Sequence, residues 1–222
     1  VFLGHAQFAL LDVAAAAVRK ELGVETPRVA LLCEKGLHFD GIVADAQEKF
    51  PKMGMKIVGT WRFSPTATDV MAELTAIRAT EAHLIYHMAT GPVGVVLSRQ
   101  WGELEIPAAI AGSNVEGMSK RHWDATGGMC NYELVENAYG RVRMTDKTIP
   151  FVDKYLKEFN EHPAHASASY DGIYILKEAI ERAGTIETNA VITELEKTDY
   201  PAAIGRVAFF PRGHKWPHDV IW

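Results

Sequence analysis

Histidine is a common metal ligand, and the spacing of the nine histidines in this sequence decides whether a metal site is expected. Three pairs are separated by three or four residues: His83 and His87, His162 and His165, and His214 and His218. The first pair falls in one predicted strand, where residues four apart lie about 13 Å from each other and cannot share an ion. The other pairs flank prolines in predicted loops. We therefore predict no metal site and no cofactor.

A second group of candidate residues follows the predicted strands in the first half of the chain. His38 and Phe39 follow the first strand, Thr90 and Gly91 the third, and Asn114 the fourth. The carboxyl ends of parallel strands meet at one edge of a sheet, where such groups suit a small polar ligand. We predict a ligand site there and no catalytic residue. The alternative, that Thr90 caps a helix and Phe39 fills the core, stays open.

A strand-turn-helix rhythm positions these residues and repeats four times in the first 112 residues. Strands are predicted at residues 28–33, 56–60, 82–88 and 106–111. Helices are predicted at residues 7–22, 68–79 and 92–101, with another after the loop 34–39, and Thr66-x-x-Asp69 resembles a capping box. Unbroken apolar strands suit a sheet covered by helices on both faces. The predicted fold class is α/β, with a doubly wound parallel sheet.

The pattern changes after Gly112. The later elements are predicted as a strand at 128–132, helices at 148–159, 169–183 and 188–196, and strands at 205–210 and 219–222 joined by a turn. These three helices have no parallel sheet of their own to cover. They either fold back on the first sheet or pack on strands that are absent from this chain.

Composition and charge exclude several classes of protein. The chain is 48% hydrophobic and 23% charged, which is typical of a globular protein. A net charge of -5 without a run of Lys or Arg argues against nucleic-acid binding. The apolar stretches are shorter than the ~20 residues of a membrane-spanning helix. The sequence lacks the Gly-rich nucleotide loops and the nucleophile elbow of hydrolases, so we predict that the protein is not an enzyme.

Two features of the covalent chain allow more than one interpretation. Cys33 and Cys130 either pair, if both strand ends face one cleft, or serve as two buried thiols. The sequence begins at Val1 without Met or a signal peptide, which we interpret as a truncation.

Several segments, in order along the chain, resemble one known family. They are Arg28-Val-Ala-Leu-Leu-Cys-Glu-Lys-Gly-Leu-His-Phe-Asp-Gly41, the Thr68-Asp69 pair, Ala166-Ser-Ala-Ser-Tyr-Asp-Gly-Ile-Tyr174 with residues 178–184, and residues 204–213. Together they resemble the type I periplasmic substrate-binding proteins of ABC transporters, in the branched-chain amino-acid-binding (Leu/Ile/Val) group. The likeness covers nearly the whole chain.

The resemblance implies two doubly wound parallel-sheet lobes that are joined by hinge crossings and close on a ligand between them. Residues 1–132 match the second lobe, which is nearly complete. Residues 133–222 match the C-terminal part of the first lobe and the start of the third crossing. The first lobe is therefore expected to be incomplete in this chain.

The resemblance also implies a function and a location. It implies a receptor in the periplasm, or otherwise outside the cytoplasm with a lipid anchor, that captures a small polar molecule such as an amino acid, an amide or a carboxylate. The receptor would deliver this solute to the permease subunits of an ABC importer. Two alternatives stay open: a ligand sensor of the same fold that acts through a protein partner, and a flavodoxin-like enzyme with His38 or His87 as its base.

Binding positions of the family match single residues of this chain. His38, beside Phe39, stands where a Tyr lines the pocket, and Thr90, beside Gly91, stands at a second Tyr position. Tyr170 stands where an aromatic ring of the first lobe approaches the ligand. The resemblance thus implies the strand-end residues as ligand contacts and adds Tyr170 to them.

Asn114 departs from the family where an acidic residue pairs with the ammonium group of the ligand. A neutral amide does not supply that charge-assisted bond. Either Glu116 replaces the acid or the ligand lacks a cationic amine, and an amide, a polyol, a carboxylate and an aromatic acid all stay open.

Overall fold

The computed structural model describes residues 2–137, 140–164 and 166–209. The chain divides into two compact units, Val1–Glu136 and Asn137–Trp222. The division at Glu136 lies close to the domain boundary predicted at residue 132. The assignment of the two units to a second and a first lobe stays a prediction.

The first unit is built on a five-stranded sheet. Its strands are β1 (Arg28–Glu34), β2 (Lys56–Phe63), β3 (Leu84–Ala89), β4 (Ala109–Asn114) and β5 (Leu134–Val135), in the order β2-β1-β3-β4-β5. All neighbouring pairs are parallel. β3 is buried along its whole length, as expected of a central strand that is covered on both faces. The predicted α/β fold class is confirmed.

Helices cover both faces of this sheet. They are α1 (Phe2–Leu22), α2 (Leu37–Lys52), α3 (Met71–Arg78) and α4 (Val93–Glu103), with a shorter α5 (His122–Ala125) and a 3-10 helix at Glu116–Met118. α1 and α2 pack on one face, where the rings of Phe50 and Tyr86 meet edge to face, 5.4 Å apart. α3 and α4 pack on the other face around Leu74, Ile85 and Leu97. Because side chains alternate along a strand, β1 and β3 contribute to both cores.

The start of α3 differs from the prediction. The helix begins at Met71 instead of residue 68, and the side chain of Asp69 accepts a hydrogen bond from the Met71 N–H at 2.8 Å. The hydroxyls of Thr66 and Ser64 bond to each other at 3.0 Å. The predicted capping box is wrong, because the Thr66 side chain bonds within the loop and the Asp69 side chain accepts from Met71, the first residue of the helix, so the two do not cap it reciprocally.

The strand predicted at residues 128–132 is also wrong. Gly127 and Gly128 have φ angles of 64° and 80°, in the left-handed region that turns favour. The chain turns through this segment, and the N–H of Gly128 donates to the carbonyl of Trp123 at 2.9 Å. The last strand of the sheet, β5, follows this turn and contains two residues.

The described part of the second unit contains three helices and a hairpin. They are α6 (Thr148–Phe159), α7 (Ala166–Ala183), α8 (Thr188–Leu195), β6 (Asp199–Ala202) and β7 (Gly205–Ala208). β6 and β7 pair antiparallel, and Tyr200 packs with Ile175 of α7. The strand predicted at 205–210 is confirmed over β7, whereas the one predicted at 219–222 lies outside the described residues. None of the helices in the described part of the chain has the length and apolar character needed to cross a bilayer.

A buried carboxylate fastens α7 to this hairpin. Asp171 is 1% exposed, and its two oxygens accept the N–H groups of Ala203 at 2.8 Å and Ile204 at 3.0 Å. These two residues form the turn between β6 and β7. Hydrogen bonds to an ionised acceptor are stronger than neutral ones, so the turn is held firmly against the helix.

Candidate functional site

The carboxyl edge of a doubly wound parallel sheet is the usual place for a ligand. β1 and β3 lie side by side, but the chain leaves β1 through α2 on one face and leaves β3 through α4 on the other. The two connecting loops therefore leave the sheet on opposite faces, and a doubly wound sheet binds its ligand in a crevice at such a switch point. This switch point between the ends of β1 and β3, called the crevice below, is the candidate site of the first unit.

A buried carboxylate at the end of β1 holds the loop that follows β3. Glu34 is 2% exposed, and its Oε1 accepts the N–H of Thr90 at 2.8 Å while its Oε2 accepts the Thr90 hydroxyl at 2.7 Å. Thr90 itself is exposed at the predicted edge. The Thr90 hydroxyl donates its hydrogen bond to Glu34. The Thr90 oxygen can therefore only accept a hydrogen bond from a ligand. We refer to this pair of hydrogen bonds as the Glu34–Thr90 clamp.

Gly91 continues the loop beside the loop that follows β2. A Cβ on Gly91 would lie 3.7 Å from the carbonyl oxygen of Pro65, an ordinary contact distance. Ser64, Pro65 and Thr66 are exposed in this second loop. Gly91 therefore lies at the predicted edge and borders an exposed polar loop, and its contact with a ligand stays a prediction.

The loop after β1 places its two predicted site residues differently from Thr90. α2 begins at Leu37, and the N–H of Phe39 donates to the carbonyl of Gly36 at 3.0 Å. The side chain of Phe39 is 6% exposed and packs in the core with Val43. The core position that the sequence left open for Phe39 is therefore occupied, and its contact with a ligand stays a prediction. His38 lies in the first turn of α2, but its side chain lies outside the described part of the structure.

Asn114 ends β4, but its side chain points beneath the edge of the sheet. It is 0% exposed, and Nδ2 donates to Ser98 Oγ at 3.1 Å and to Glu133 Oε1 at 2.9 Å. A Cβ on Gly94 of α4 would clash with Asn114 Oδ1. These contacts commit the Asn114 side chain to α4 and Glu133. A ligand contact stays a prediction for Asn114 and for Glu116, which is half-buried just after β4.

Glu133 belongs to a buried polar cluster with two histidines. Its carboxylate is 2% exposed, with Oε2 3.0 Å from His122 Nε2 and Oε1 3.4 Å from His87 Nε2. Burial raises the pKa of Glu133, but hydrogen bonds from His122 and Asn114 outweigh burial and hold this pKa below its usual value. Burial lowers the pKa of His87. Sequence reasoning missed Glu133 and His122, because only the fold brings them to His87.

The position of His87 also bears on the enzyme alternative. A general base must lie within hydrogen-bond reach of the proton that it removes. His87 is 0% exposed in the central strand β3, so a solute in the crevice does not meet it. The ring of His83 faces elsewhere, because its Nδ1 accepts the N–H of Arg28 at 3.2 Å. His165, His214 and His218 lie outside the described residues.

Tyr170 belongs to the second unit, where it lies in a row of aromatic rings. Its ring centroid is 4.7 Å from that of Phe151 and 4.9 Å from that of Tyr174. With Tyr155 and Phe151 it lines a groove of about 510 Å³. The hydrogen bond with Tyr174, together with burial, raises the pKa of Tyr170 to about 12, so its hydroxyl is protonated at neutral pH. Tyr170 is 41% exposed, and its role in binding stays a prediction.

The chain matches known proteins over most of its length. A family model described as periplasmic binding protein matches residues 1–221. The Leu/Ile/Val-binding protein BraC3 of Rhizobium johnstonii is 27% identical over 209 residues, which are 91% of this chain and 54% of that protein.

Two solved structures extend the comparison to three dimensions. The substrate binding protein LivJ of a branched-chain amino acid transporter from Streptococcus pneumoniae, in complex with isoleucine, has a TM-score of 0.74 at 18% identity and covers 93% of this chain and 58% of its own. A second structure is that of a solute binding protein of an ABC transporter from Rhodopseudomonas palustris, in complex with 3,4-dihydroxybenzoic acid. Its TM-score is 0.72 at 18% identity, and the match covers 92% of this chain and 56% of that protein. The chain thus spans about half the length of the proteins it matches.

Proposed function

Because the chain belongs to the periplasmic binding protein family, we propose that it forms part of a receptor that captures a small polar solute without altering it. The family resemblance drawn from the sequence is confirmed by this match and by the Leu/Ile/Val-binding relative. The type I fold is confirmed by the solved structures. In such a receptor, the ligand favours a closed state that it contacts from more than one side.

The Glu34–Thr90 clamp is the observation that carries this proposal. Its two hydrogen bonds support the proposal, because they hold the exposed Thr90 side chain at the switch point where doubly wound sheets bind ligands, with its hydroxyl donating to Glu34. A group that is already held in one orientation loses little entropy when a ligand arrives. The crevice is therefore prepared to accept a hydrogen bond from a solute.

We further infer that the solute carries a carboxylate and lacks a cationic amine. Asn114 is neutral and already committed to Ser98 and Glu133, so it supplies no partner charge for an ammonium group. Lys35 is exposed directly after Glu34 and can attract a carboxylate. Isoleucine and 3,4-dihydroxybenzoic acid, the molecules bound by the two structural relatives, are both carboxylic acids. A hydroxylated aromatic acid combines a carboxylate with hydroxyl donors for Thr90.

Calorimetric titration of the purified protein with isoleucine, benzoate and 3,4-dihydroxybenzoate tests this ligand class. We expect heat of binding with the hydroxylated acid and none with isoleucine. Preference for isoleucine would contradict the ligand class while leaving the receptor in place. Turnover of any of the three compounds would contradict the receptor itself.

Replacing Thr90 tests the clamp directly. Thr90→Ala removes the acceptor oxygen, and we expect affinity for the bound acid to fall about three- to tenfold, the effect of one hydrogen bond of about 1 kcal/mol. Thr90→Ser keeps the hydroxyl and should bind like the unchanged protein. Thr80→Ala is the matched control, because the Thr80 hydroxyl donates to the carbonyl of Ile77 before β3, at the opposite end of that strand. An equal loss of affinity in the Thr80 variant would contradict a binding role for Thr90.

We propose that the receptor works outside the cytoplasm and delivers its solute to the permease subunits of an ABC importer. Family membership supports this proposal. Deletion of the gene in the source organism should abolish uptake of the labelled solute, and the unchanged gene should restore it. Normal uptake together with a lost transcriptional response to the solute would instead favour the ligand sensor.

A further inference from the structure

We propose that His122, Cys130 and Glu133 bind a zinc ion in the first unit, beside the end of the sheet that carries β5. One ligand atom from each of His122, Cys130 and Glu133 lies within 4.8 Å of the others. His122 begins α5, Cys130 lies in the turn that follows, and Glu133 immediately precedes β5. A short stretch of chain therefore presents an imidazole, a thiol and a carboxylate to one point, and these are the groups that bind zinc in proteins.

His87 is a second and independent observation that points to a cation. It reaches the same carboxylate from β3, with Nε2 3.4 Å from Glu133 Oε1. Its side chain is 0% exposed, yet neither ring nitrogen makes a hydrogen bond, and the same holds for Nδ1 of His122. Buried ring nitrogens normally have partners. A metal ion would satisfy the lone pair of a neutral imidazole, so these unpartnered ring nitrogens point to a cation beside Glu133.

The distances are close to those of a tetrahedral zinc site. Zinc bonds of about 2.0–2.1 Å to nitrogen and oxygen and 2.3 Å to sulfur separate neighbouring N and O ligand atoms by about 3.3 Å, and N and S by about 3.6 Å. The imidazole–carboxylate distance in the group, from His122 Nε2 to Glu133 Oε2, is 3.0 Å. The sulfur of Cys130 has to approach by about 1 Å at most. It follows the Gly127–Gly128 turn, whose backbone can adjust.

The chemistry of the three ligands selects zinc over the hard cations. Magnesium and calcium prefer oxygen ligands, whereas a thiolate and an imidazole suit zinc. The thiolate and the carboxylate together balance the charge of Zn²⁺, which matters in a buried place. Asn114 Nδ2 donates to Glu133 Oε1 at 2.9 Å and orients the carboxylate, as the outer partners of metal ligands do.

Three protein ligands leave the fourth position of the ion to a water molecule. The ion would join α5 to the chain that enters β5, and β5 has only two residues to hold it in the sheet. The spacing of histidine pairs in the sequence predicts no such site, because a single histidine belongs to it. Zinc would therefore stabilise the first unit without taking part in solute binding.

Titration of the tag-free protein with zinc sulfate, in competition with a chromophoric chelator, tests the site. We expect one equivalent of zinc per chain and a rise in melting temperature that EDTA reverses. Cys130→Ser should weaken zinc binding at least tenfold, since loss of an outer partner alone weakens metal binding about 10–100-fold. Cys33→Ser is the matched control, because Cys33 lies in the core of the sheet and should leave zinc binding unchanged.

The visible spectrum of bound Co²⁺ distinguishes a cysteine that binds the metal from one that only supports the fold. Co²⁺ in the unchanged protein and in Cys33→Ser should show the strong visible bands of tetrahedral cobalt and a thiolate charge-transfer band, which Cys130→Ser should lose. Absence of zinc binding, unaltered binding in Cys130→Ser, or a cobalt spectrum without the thiolate band would overturn the proposal. Solute titrations with and without EDTA keep this result separate from the receptor proposal.

Discussion

Buried carboxylates organise both units at the scale of single residues. Glu34 accepts a hydrogen bond from Thr90 at the crevice. Glu133 contacts both Asn114 and His122. Asp171 accepts a hydrogen bond from the turn of the hairpin. Acidic residues are mostly exposed in proteins, so the sequence alone does not distinguish these three from surface acids. Their positions follow from the tertiary fold, in which each accepts hydrogen bonds that replace its lost hydration.

The two cysteines are expected to differ in reactivity. Burial raises the pKa of Cys33 to about 12, so at pH 8 it lacks the thiolate that attacks iodoacetamide. Cys130 is partly exposed, and both cysteines are free thiols. After alkylation of the folded protein in EDTA, mass spectrometry should find label on Cys130 alone, and on both residues in urea. Label on Cys33 in the folded protein would contradict its burial, and label on neither before reduction would favour the disulfide.

Asp171→Asn is expected to lower the free energy of unfolding by about 1–3 kcal/mol, because a buried N–H group loses its acceptor. The amide can accept from only one of Ala203 and Ile204 and presents its own N–H₂ to the other. Urea unfolding measures the loss, and amide hydrogen exchange should speed up at both residues. Asp12→Asn, an exposed acid of α1, should change stability by less than about 0.5 kcal/mol. Similar effects of the two substitutions would argue against the role of Asp171.

At the scale of elements, α4 and β4 approach closely because one helical residue has no side chain. Gly94 lies against Asn114, and the hydroxyl of Ser98 donates to the Gly94 carbonyl at 2.9 Å. Asn114 completes the contact by donating to Ser98. The helix and the strand are therefore linked by polar groups as well as by their apolar core.

Gly94→Ala is expected to destabilise the protein by about 1–3 kcal/mol, since the new methyl group overlaps Asn114. Gly41→Ala is the matched control in α2, because a Cβ there would meet no atom within 4 Å. That control should gain up to about 1 kcal/mol from helix propensity. Thermal unfolding of the two variants side by side measures the difference, and a Gly94→Ala variant as stable as Gly41→Ala would argue against the close contact.

The hydrophobic pattern predicts the presence of elements better than the direction of their side chains. The predicted helix 148–159 is α6 to the residue, and the four predicted strands of the first sheet are β1 to β4. β6 was missed, because four residues that include Pro201 carry too little pattern. Thr90 and Gly91 could be placed at the sheet edge because they follow a strand. The pattern left open whether Phe39 fills the core and did not predict the burial of Asn114, since both depend on contacts from other parts of the chain.

At the scale of the whole molecule, the two units differ in the size of their cores. The first unit has two apolar clusters, one on each face of its sheet. The buried core described in the second unit is a small group formed by Ile175, Tyr200 and Ala202. Local stability follows the amount of buried apolar surface, so the second unit should open more readily.

Hydrogen exchange with mass spectrometry checks this difference in stability. Peptides from β1, β3 and β4 should exchange slowest, and peptides from α8, β6 and β7 should exchange markedly faster. The reason is that the central strands are covered on both faces, whereas the hairpin rests on one small cluster. Equal protection of both sets would show that the core of the second unit is larger than the described contacts.

The two margins of the parallel sheet have a consequence for how copies of this protein meet. β5 ends the sheet with two residues, so a strand from another molecule finds very few backbone groups to pair with there. β2 is longer but carries Lys56 and Arg62, and charged side chains on an outer strand discourage pairing between molecules. The short edge strand β5 and the charged edge strand β2 therefore both oppose aggregation of the folded protein.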